Sequence, residues 1–142
     1  MKNLLKVLAV AGVFFAISTN ANAQSGTLIF KEGNGGTQNT VATITDASGQ
    51  FYNLKDKTPS NIGANDEAKS LILQNVRVGA AISVYDAPAG DASDDYCIIT
   101  VKSLVSSITV SSFETSYEDA NVKVDFHHHN GLDGKVSAIR VN

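Results

Sequence analysis

The hydrophobic residues of this chain recur with a period of two, in short runs separated by Gly, Asn, Asp and Ser. Alternation of this kind, rich in β-branched and aromatic residues, is typical of half-buried strands. No window shows a sustained helical period, and only the region NIGANDEAK has room for a helical turn. Many short strands between turn residues predict a β-sandwich or barrel. The nine predicted strands are TLIF, TVATIT, QFYNL, SLILQNV, AISVY, YCIITV, SSITV, VKVDF and VSAIRV.

The beginning of the chain follows a different pattern. Lys2 and Lys6 form a basic segment, Val7–Ile17 is an apolar run, and Ala21–Ala23 is a small-x-small cleavage site. Together they predict a secretory signal peptide and a mature protein that begins at Gln24, with an uncleaved N-terminal anchor as the alternative. Since no stop-transfer segment follows, we expect a secreted or periplasmic protein with no membrane span in the mature chain.

Charge and length narrow the classes of function. Residues 1–23 are the predicted signal peptide, and residues 24–142 are long enough for one domain with a core of its own. The mature chain has nine basic and fourteen acidic residues, a formal net charge of −5, and no basic run. This balance argues against a nucleic-acid partner.

A single cysteine excludes an intramolecular disulfide, so packing must stabilise an exported domain. Cys97 shares a strand face with Ile99 and Val101, which predicts a buried thiol. The alternatives are a nucleophile, for which no basic neighbour is adjacent in sequence, and an intermolecular disulfide.

Two halves of the mature chain repeat one pattern. Phe30 in the first half and Tyr85 in the second each precede a turn with glycine, and each half ends in an oxygen-rich corner followed by an aliphatic strand. The corners are NDEAKS at Asn65–Ser70 and DGKVSA at Asp133–Ala138. The second half is longer, which predicts an insertion near the serine-rich stretch Ser103–Ser112.

An aromatic hairpin followed by N/D-N/D-x-x-S/T-S and an aliphatic strand resembles the Greek-key motif of the βγ-crystallin family. The first corner fits this signature at five of six positions, counting the two free spacers, and the second fits less well. The resemblance implies an all-β fold, a two-sheet β-sandwich built from two Greek-key motifs, motif one at about residues 26–76 and motif two at about 77–142. We expect Leu71, Leu73, Ile139 and Val141 to share its core.

The resemblance also implies calcium sites, because many microbial members bind two calcium ions with oxygens shared between the motifs. Calcium is a hard cation that prefers oxygen ligands and tolerates irregular geometry. Two departures matter here: Lys69 replaces a hydroxyl in the first corner, and Gly134 removes an oxygen from the second. We therefore expect one site to be lost and at most one weak calcium site to remain. Its expected ligands are Asn65, Asp66, Glu67 and Ser137, and the alternative is that both corners are plain turns.

Two other clusters suggest cations less strongly. Asp86, Asp91, Asp94 and Asp95 lack the spacing of a helix-loop-helix calcium loop, which favours a solvated hairpin loop, although this loop is the next candidate for a cation. His127–His129 place two imidazoles on one strand face without a third ligand nearby, which favours a surface pair over a zinc or nickel site.

Catalytic motifs are missing from the sequence. We find no G-x-S-x-G turn, no H-E-x-x-H and no phosphate loop with its lysine. The sequence therefore predicts a secreted, non-enzymatic structural or binding module. The alternative is an exported protease inhibitor or toxin-like effector on the same fold, with Asp86–Asp95 or Lys55–Asn61 as the reactive loop.

Overall fold

The computed structural model describes residues 25–142, so the predicted signal peptide at residues 1–23 lies outside the described residues. Ten strands and one short 3₁₀ turn at Asn34–Gly36 make up the regular structure of that part. All nine predicted strands are present, and a short strand at residues 117–118 is added to them. The strands are β1 Thr27–Gly33, β2 Thr37–Thr45, β3 Gln50–Asn53, β4 Ser70–Gln74, β5 Ala81–Tyr85, β6 Tyr96–Val101, β7 Ile108–Val110, β8 Tyr117–Glu118, β9 Val122–His127 and β10 Ala138–Val141.

The strands form two antiparallel sheets that exchange one strand each. The first sheet has the order β2-β1-β4-β7, and the second has the order β3-β10-β5-β6-β9-β8. Strand β3 comes from the first half of the chain but pairs with β10, while β7 comes from the second half and pairs with β4. The fold is thus the predicted two-sheet β-sandwich of two Greek-key motifs.

One hydrophobic core lies between the sheets. Side chains of a strand point alternately to its two faces, and in β6 Cys97, Ile99 and Val101 are buried while their neighbours are half-exposed. The prediction of a buried thiol is confirmed, and burial raises the pKa of Cys97 to about 12. The four predicted core residues are confirmed as well: Leu71, Leu73, Ile139 and Val141.

The repeat is real in the structure, but its register differs from the sequence alignment by one residue. Phe30 pairs with Leu71, and the equivalent pair in the second half is Val84 with Ile139. Tyr85 therefore corresponds to Lys31, not to Phe30. The aromatic residue misled the alignment because Tyr85 lies on the outer face, where its ring stacks on Tyr96, while Phe30 is buried.

The insertion of the second half lies after the predicted stretch Ser103–Ser112. That stretch contains β7, one of the exchanged Greek-key strands, so the predicted position is wrong. The extra segment is the β8–β9 hairpin, which adds two strands to the edge of the second sheet. Serine content misled the prediction, whereas the alternation of SSITV correctly indicates a strand.

Residues 25–142 contain no helix that is long and apolar enough to cross a membrane.

We predict that the segment after the inserted hairpin is needed for stability. Leu132 is fully buried in the core, whereas Leu104 is 70% exposed. Leu132→Ala should lower the free energy of unfolding by about 2–5 kcal/mol, since it leaves a cavity. The matched substitution Leu104→Ala should change it by less than about 0.5 kcal/mol. Urea denaturation of both variants measures this, and equal effects would contradict the packing described here.

Candidate functional site

The first corner is completed by a residue from the other motif. Asp66 has a left-handed backbone, φ 59°, and its N–H donates to the carbonyl of Val136 at 3.2 Å. Ser137, which is buried, donates its hydroxyl to Asp66 Oδ1 at 3.0 Å. Its own N–H is fixed by the carbonyl of Tyr85 at 2.8 Å. The structure thus brings together Asp66 and Ser137, which lie far apart in sequence.

The other two predicted ligands differ in their surroundings. Within residues 25–142, two buried side-chain oxygens lack a hydrogen-bond partner, and Asn65 Oδ1 is one of them. A buried oxygen left without a partner costs about 1–3 kcal/mol, so it is rare and calls for an explanation. Glu67 is exposed and makes no side-chain hydrogen bond within the described residues. The corner therefore has one buried unpaired oxygen, one cross-motif pair and one free carboxylate.

A group of three carboxylates on the β5–β6 loop adds negative charge near this corner. Ligand oxygens of Asp86, Asp94 and Asp95 lie within 4.8 Å of one another. Burial raises the pKa of Asp86, and the charges of Asp94, Asp66 and Asp95 raise it further, while Lys135 acts in the opposite direction. Since Asp66 is among these charges, the loop and the first corner share one electrostatic environment.

The sequence-based picture of a solvated loop holds for only part of this segment. Asp91 is exposed, but Asp95 is fully buried and holds the turn that follows β9. Its carboxylate accepts the N–H groups of His129 at 2.6 Å and Asn130 at 2.8 Å. The same turn is also held by Glu114, whose carboxylate accepts the N–H group of Asp133 at 2.8 Å. Sequence reasoning missed both contacts, because the residues they join are 18 or more positions apart.

The second corner occupies the equivalent place in the other half, but its chemistry has changed. Asp133 Oδ1 is the second buried oxygen without a partner, and its Oδ2 accepts the side-chain amide of Asn34 at 3.1 Å. Gly134 has φ 72°, like Asp66 a left-handed conformation. A Cβ atom on Gly134 would lie 3.4 Å from Cε of Lys69, so the lysine stem fills the place next to the glycine.

The two corners are thus related but unequal. In the first, a carboxylate faces a hydroxyl, and both are oxygen ligands of the kind that calcium prefers. In the second, a glycine faces a lysine, so the equivalent positions offer no ligand oxygen and bring a positive charge. The arrangement favours a cation at the first corner over the second.

The histidine run does not form a metal cluster. The ring of His127 stacks on Tyr96 at 4.2 Å, and His128 makes an edge contact with Phe126 at 5.7 Å, so the two rings lie against separate aromatic neighbours. In the described part of the chain, the three aspartates of the β5–β6 loop are the one group of three or more His, Cys, Asp or Glu side chains whose ligand atoms lie this close together.

The loop Lys55–Asn61, a candidate reactive loop, is exposed and internally hydrogen-bonded. Asn53 and Thr58 exchange both backbone hydrogen bonds, at 2.8 and 2.9 Å, and the carbonyl of Leu54 accepts the N–H of Lys57. Lys57 itself has φ 52°, so the backbone of this loop has a left-handed conformation at an exposed lysine. A protease binds its substrate in an extended conformation, so this turn does not favour the inhibitor alternative. No enclosed pocket opens on the surface formed by residues 25–142.

Comparisons with known proteins bear on the fold. No family model matches the chain, and no curated protein matches it. A double mutant of a betagamma-crystallin domain from Clostridium beijerinckii is similar in structure, with 17% identity and a TM-score of 0.41 over 83% of this chain and 96% of that one. At that TM-score the likeness says nothing about the site, and the fold assignment rests on the exchanged strands β3 and β7.

We predict a specific loss of stability in acid from Asp95. Burial by itself raises its pKa, but the backbone donors of His129, Asn130 and Gly131 lower it from 3.8 to about 2. A lowered pKa contributes stability that is present above about pH 4 and is lost as the pH falls to about 2, here on the order of 2 kcal/mol. Asp95→Asn should be less stable at pH 7 and should lack this part of the acid dependence. Urea denaturation between pH 2 and pH 7 tests this, and parallel profiles for the two proteins would contradict it.

Proposed function

We propose that this protein is an exported, non-enzymatic binding module that holds one calcium ion at the corner of Asn65, Asp66, Glu67 and Ser137. The observation that supports this most is the contact of the Asp66 carboxylate with the Ser137 hydroxyl, next to Asn65, whose buried Oδ1 has no hydrogen-bond partner. Bound calcium would give that oxygen a partner and remove its desolvation penalty.

The ligand types at this corner suit calcium. The four side chains offer only oxygen atoms, and Asp66 and Glu67 add two negative charges at neutral pH. Ser137 comes from the second motif, so an ion there would join the two halves of the chain. Zinc would instead favour nitrogen or sulfur ligands, but Cys97 is buried, and the imidazoles of His127 and His128 contact aromatic rings.

The neighbouring loop would increase the attraction for a cation. Asp86 and Asp94 carry negative charge beside the corner, and summed charge of one sign raises the local concentration of counter-ions. We assign these two aspartates an electrostatic role and not a place among the ligands.

The second corner is not part of the proposed site. An ion there would face the stem of Lys69 in place of a hydroxyl, and Gly134 in place of a carboxylate. One calcium ion for each chain is the expected stoichiometry.

Calcium should stabilise the mature protein. Extracellular modules typically have Kd values of roughly 10⁻⁴ to 10⁻³ M. At a concentration a hundredfold above Kd, linkage adds about 2.7 kcal/mol, which raises the melting temperature of a domain of this size by about 10 °C. Asp66→Asn should remove this rise, because asparagine keeps the left-handed backbone and the shape but not the charge. Thermal unfolding with calcium and with chelator measures both.

Two further variants sharpen the experiment. Asp119→Asn removes the same charge at the β8–β9 turn, away from the corner, and should keep the full calcium effect. Lys69→Ser restores a hydroxyl at the second corner and should add a second, weaker binding event. An unchanged melting temperature in calcium for the wild type and for Lys69→Ser would mean that both corners are plain turns.

Export is the second part of the proposal. The basic segment, the apolar run and the Ala21–Ala23 site support cleavage before Gln24. Mass spectrometry of the chain expressed in a secreting host should show a protein that begins at Gln24. Recovery of material that keeps Met1 would contradict export with cleavage and would favour the uncleaved anchor.

A further inference from the structure

Three side chains next to the proposed calcium corner form a chemical group of their own. The Lys135 ammonium donates a hydrogen bond to Asn130 Oδ1, and Asn130 Nδ2 donates one to Asp94 Oδ1 at 3.0 Å. The amide of Asn130 is therefore held between an amine and a carboxylate. Its carbonyl faces the amine, and its NH₂ group faces the carboxylate.

The backbone fixes this geometry from both sides. The N–H of Asn130 donates to the buried carboxylate of Asp95 at 2.8 Å, and the N–H of Asp95 donates to Asp94 Oδ1 at 2.9 Å. On the other side, the N–H of Lys135 donates to the carbonyl of Leu132 at 2.9 Å, and Leu132 is anchored in the core. Reacting groups held in place in this way react as if at very high concentration.

We propose that Lys135 and Asn130 join in an intramolecular isopeptide bond. Lys135 first loses a proton to water, and its neutral Nζ attacks Cγ of Asn130. The Nζ–Cγ bond forms, the Cγ–Nδ2 bond breaks, and ammonia leaves. The attacking nitrogen gives its second proton to the Asp94 carboxylate through water, and Asp94 passes a proton to the departing nitrogen with which it is in contact. The step is an acyl transfer with no change of oxidation state, so it needs no co-reactant.

Asp94 is placed for this proton transfer by its neighbours. The N–H of Asp95 donates to Asp94 Oδ1 at 2.9 Å, and the same oxygen accepts the Nδ2–H of Asn130 at 3.0 Å. Asn130 is exposed and Lys135 is half-buried, so water reaches the ammonium.

Such a bond suits this chain. It has one cysteine, which is buried, and therefore cannot use a disulfide to secure an extracytoplasmic domain. The bond would close the turn between β9 and β10, and Lys135 lies three residues before β10 begins at Ala138 and two before Ser137. The bond is detected as a change of peptide mass and calcium is detected by its effect on the melting temperature, so the two proposals can fail separately.

Peptide mapping with trypsin tests the proposal directly. Trypsin cleaves after Lys123, Lys135 and Arg140, but a lysine that carries an acyl group resists cleavage. After prolonged incubation at pH 9, the wild-type protein should yield residues 124–140 as one peptide, lighter than its sequence by one ammonia. The mass of the intact protein is a weaker measurement than the mass of this peptide, because an N-terminal glutamine can also lose ammonia.

Matched variants separate this bond from other reactions. Lys135→Arg keeps the charge and the cleavage site but cannot attack, so residues 124–135 should appear at full mass. Asp94→Asn should slow the reaction by about a hundredfold or more, the usual range for loss of a proton-transfer group. Lys102→Met, at an exposed lysine that pairs with Glu118, should change nothing.

Three results would overturn the proposal. One is wild-type protein that is cleaved normally after Lys135 and has full peptide mass after incubation. Another is loss of ammonia that persists in Lys135→Arg, which would show ring closure by the nitrogen of Gly131 on Asn130 instead. The third is an equal rate in Asp94→Asn and wild type, which would remove Asp94 from the reaction.

Discussion

The exchange of β3 and β7 between the sheets is the constraint on which the rest of this structure depends. Each sheet contains a strand from the other half of the chain, so neither half can complete its sheet alone. The same exchange closes a single core between the sheets, in which Leu71 and Ile139 occupy equivalent positions. It also brings the two oxygen-rich corners together, and Ser137 from one motif reaches Asp66 of the other.

Divergence between the two halves has made these corners different. Asp66 and Gly134 share a left-handed backbone, which shows that the turn is kept while the side chain is not. Next to them lie Ser137 and Lys69, a hydroxyl in one corner and an ammonium in the other. Both corners nevertheless keep a buried, unpaired oxygen at their first position, at Asn65 and Asp133. Buried unpaired oxygens are rare, and two at equivalent positions reflect one shared geometry.

Much of the fold could be predicted from the sequence, because strand alternation is a local signal. The nine strands and the four core residues follow from a period of two. The alignment of Phe30 with Tyr85 as equivalent positions of the two halves was wrong by one residue, because an aromatic residue can lie on either face of a strand. Only the backbone hydrogen bonds, Lys69 to Lys31 and Ser137 to Tyr85, fix the register.

The candidate site was less accessible to sequence reasoning. The motif NDEAKS located Asn65, Asp66 and Glu67, and the second corner located Ser137. No local pattern could show that Asp95 and Glu114 hold residues 129–133, or that Asn130 meets Asp94, since these contacts depend on how distant loops pack.

Calorimetric titration of the mature protein with calcium is the most direct measurement of the central claim, that one corner retains a cation site and the other does not. We expect a saturable heat with one calcium ion bound for each chain, and no heat for Asp66→Asn. Absence of heat in the wild type, or binding that Asp66→Asn leaves intact, would contradict the assignment of the first corner. Two equal sites in the wild type would contradict the role given to Lys69.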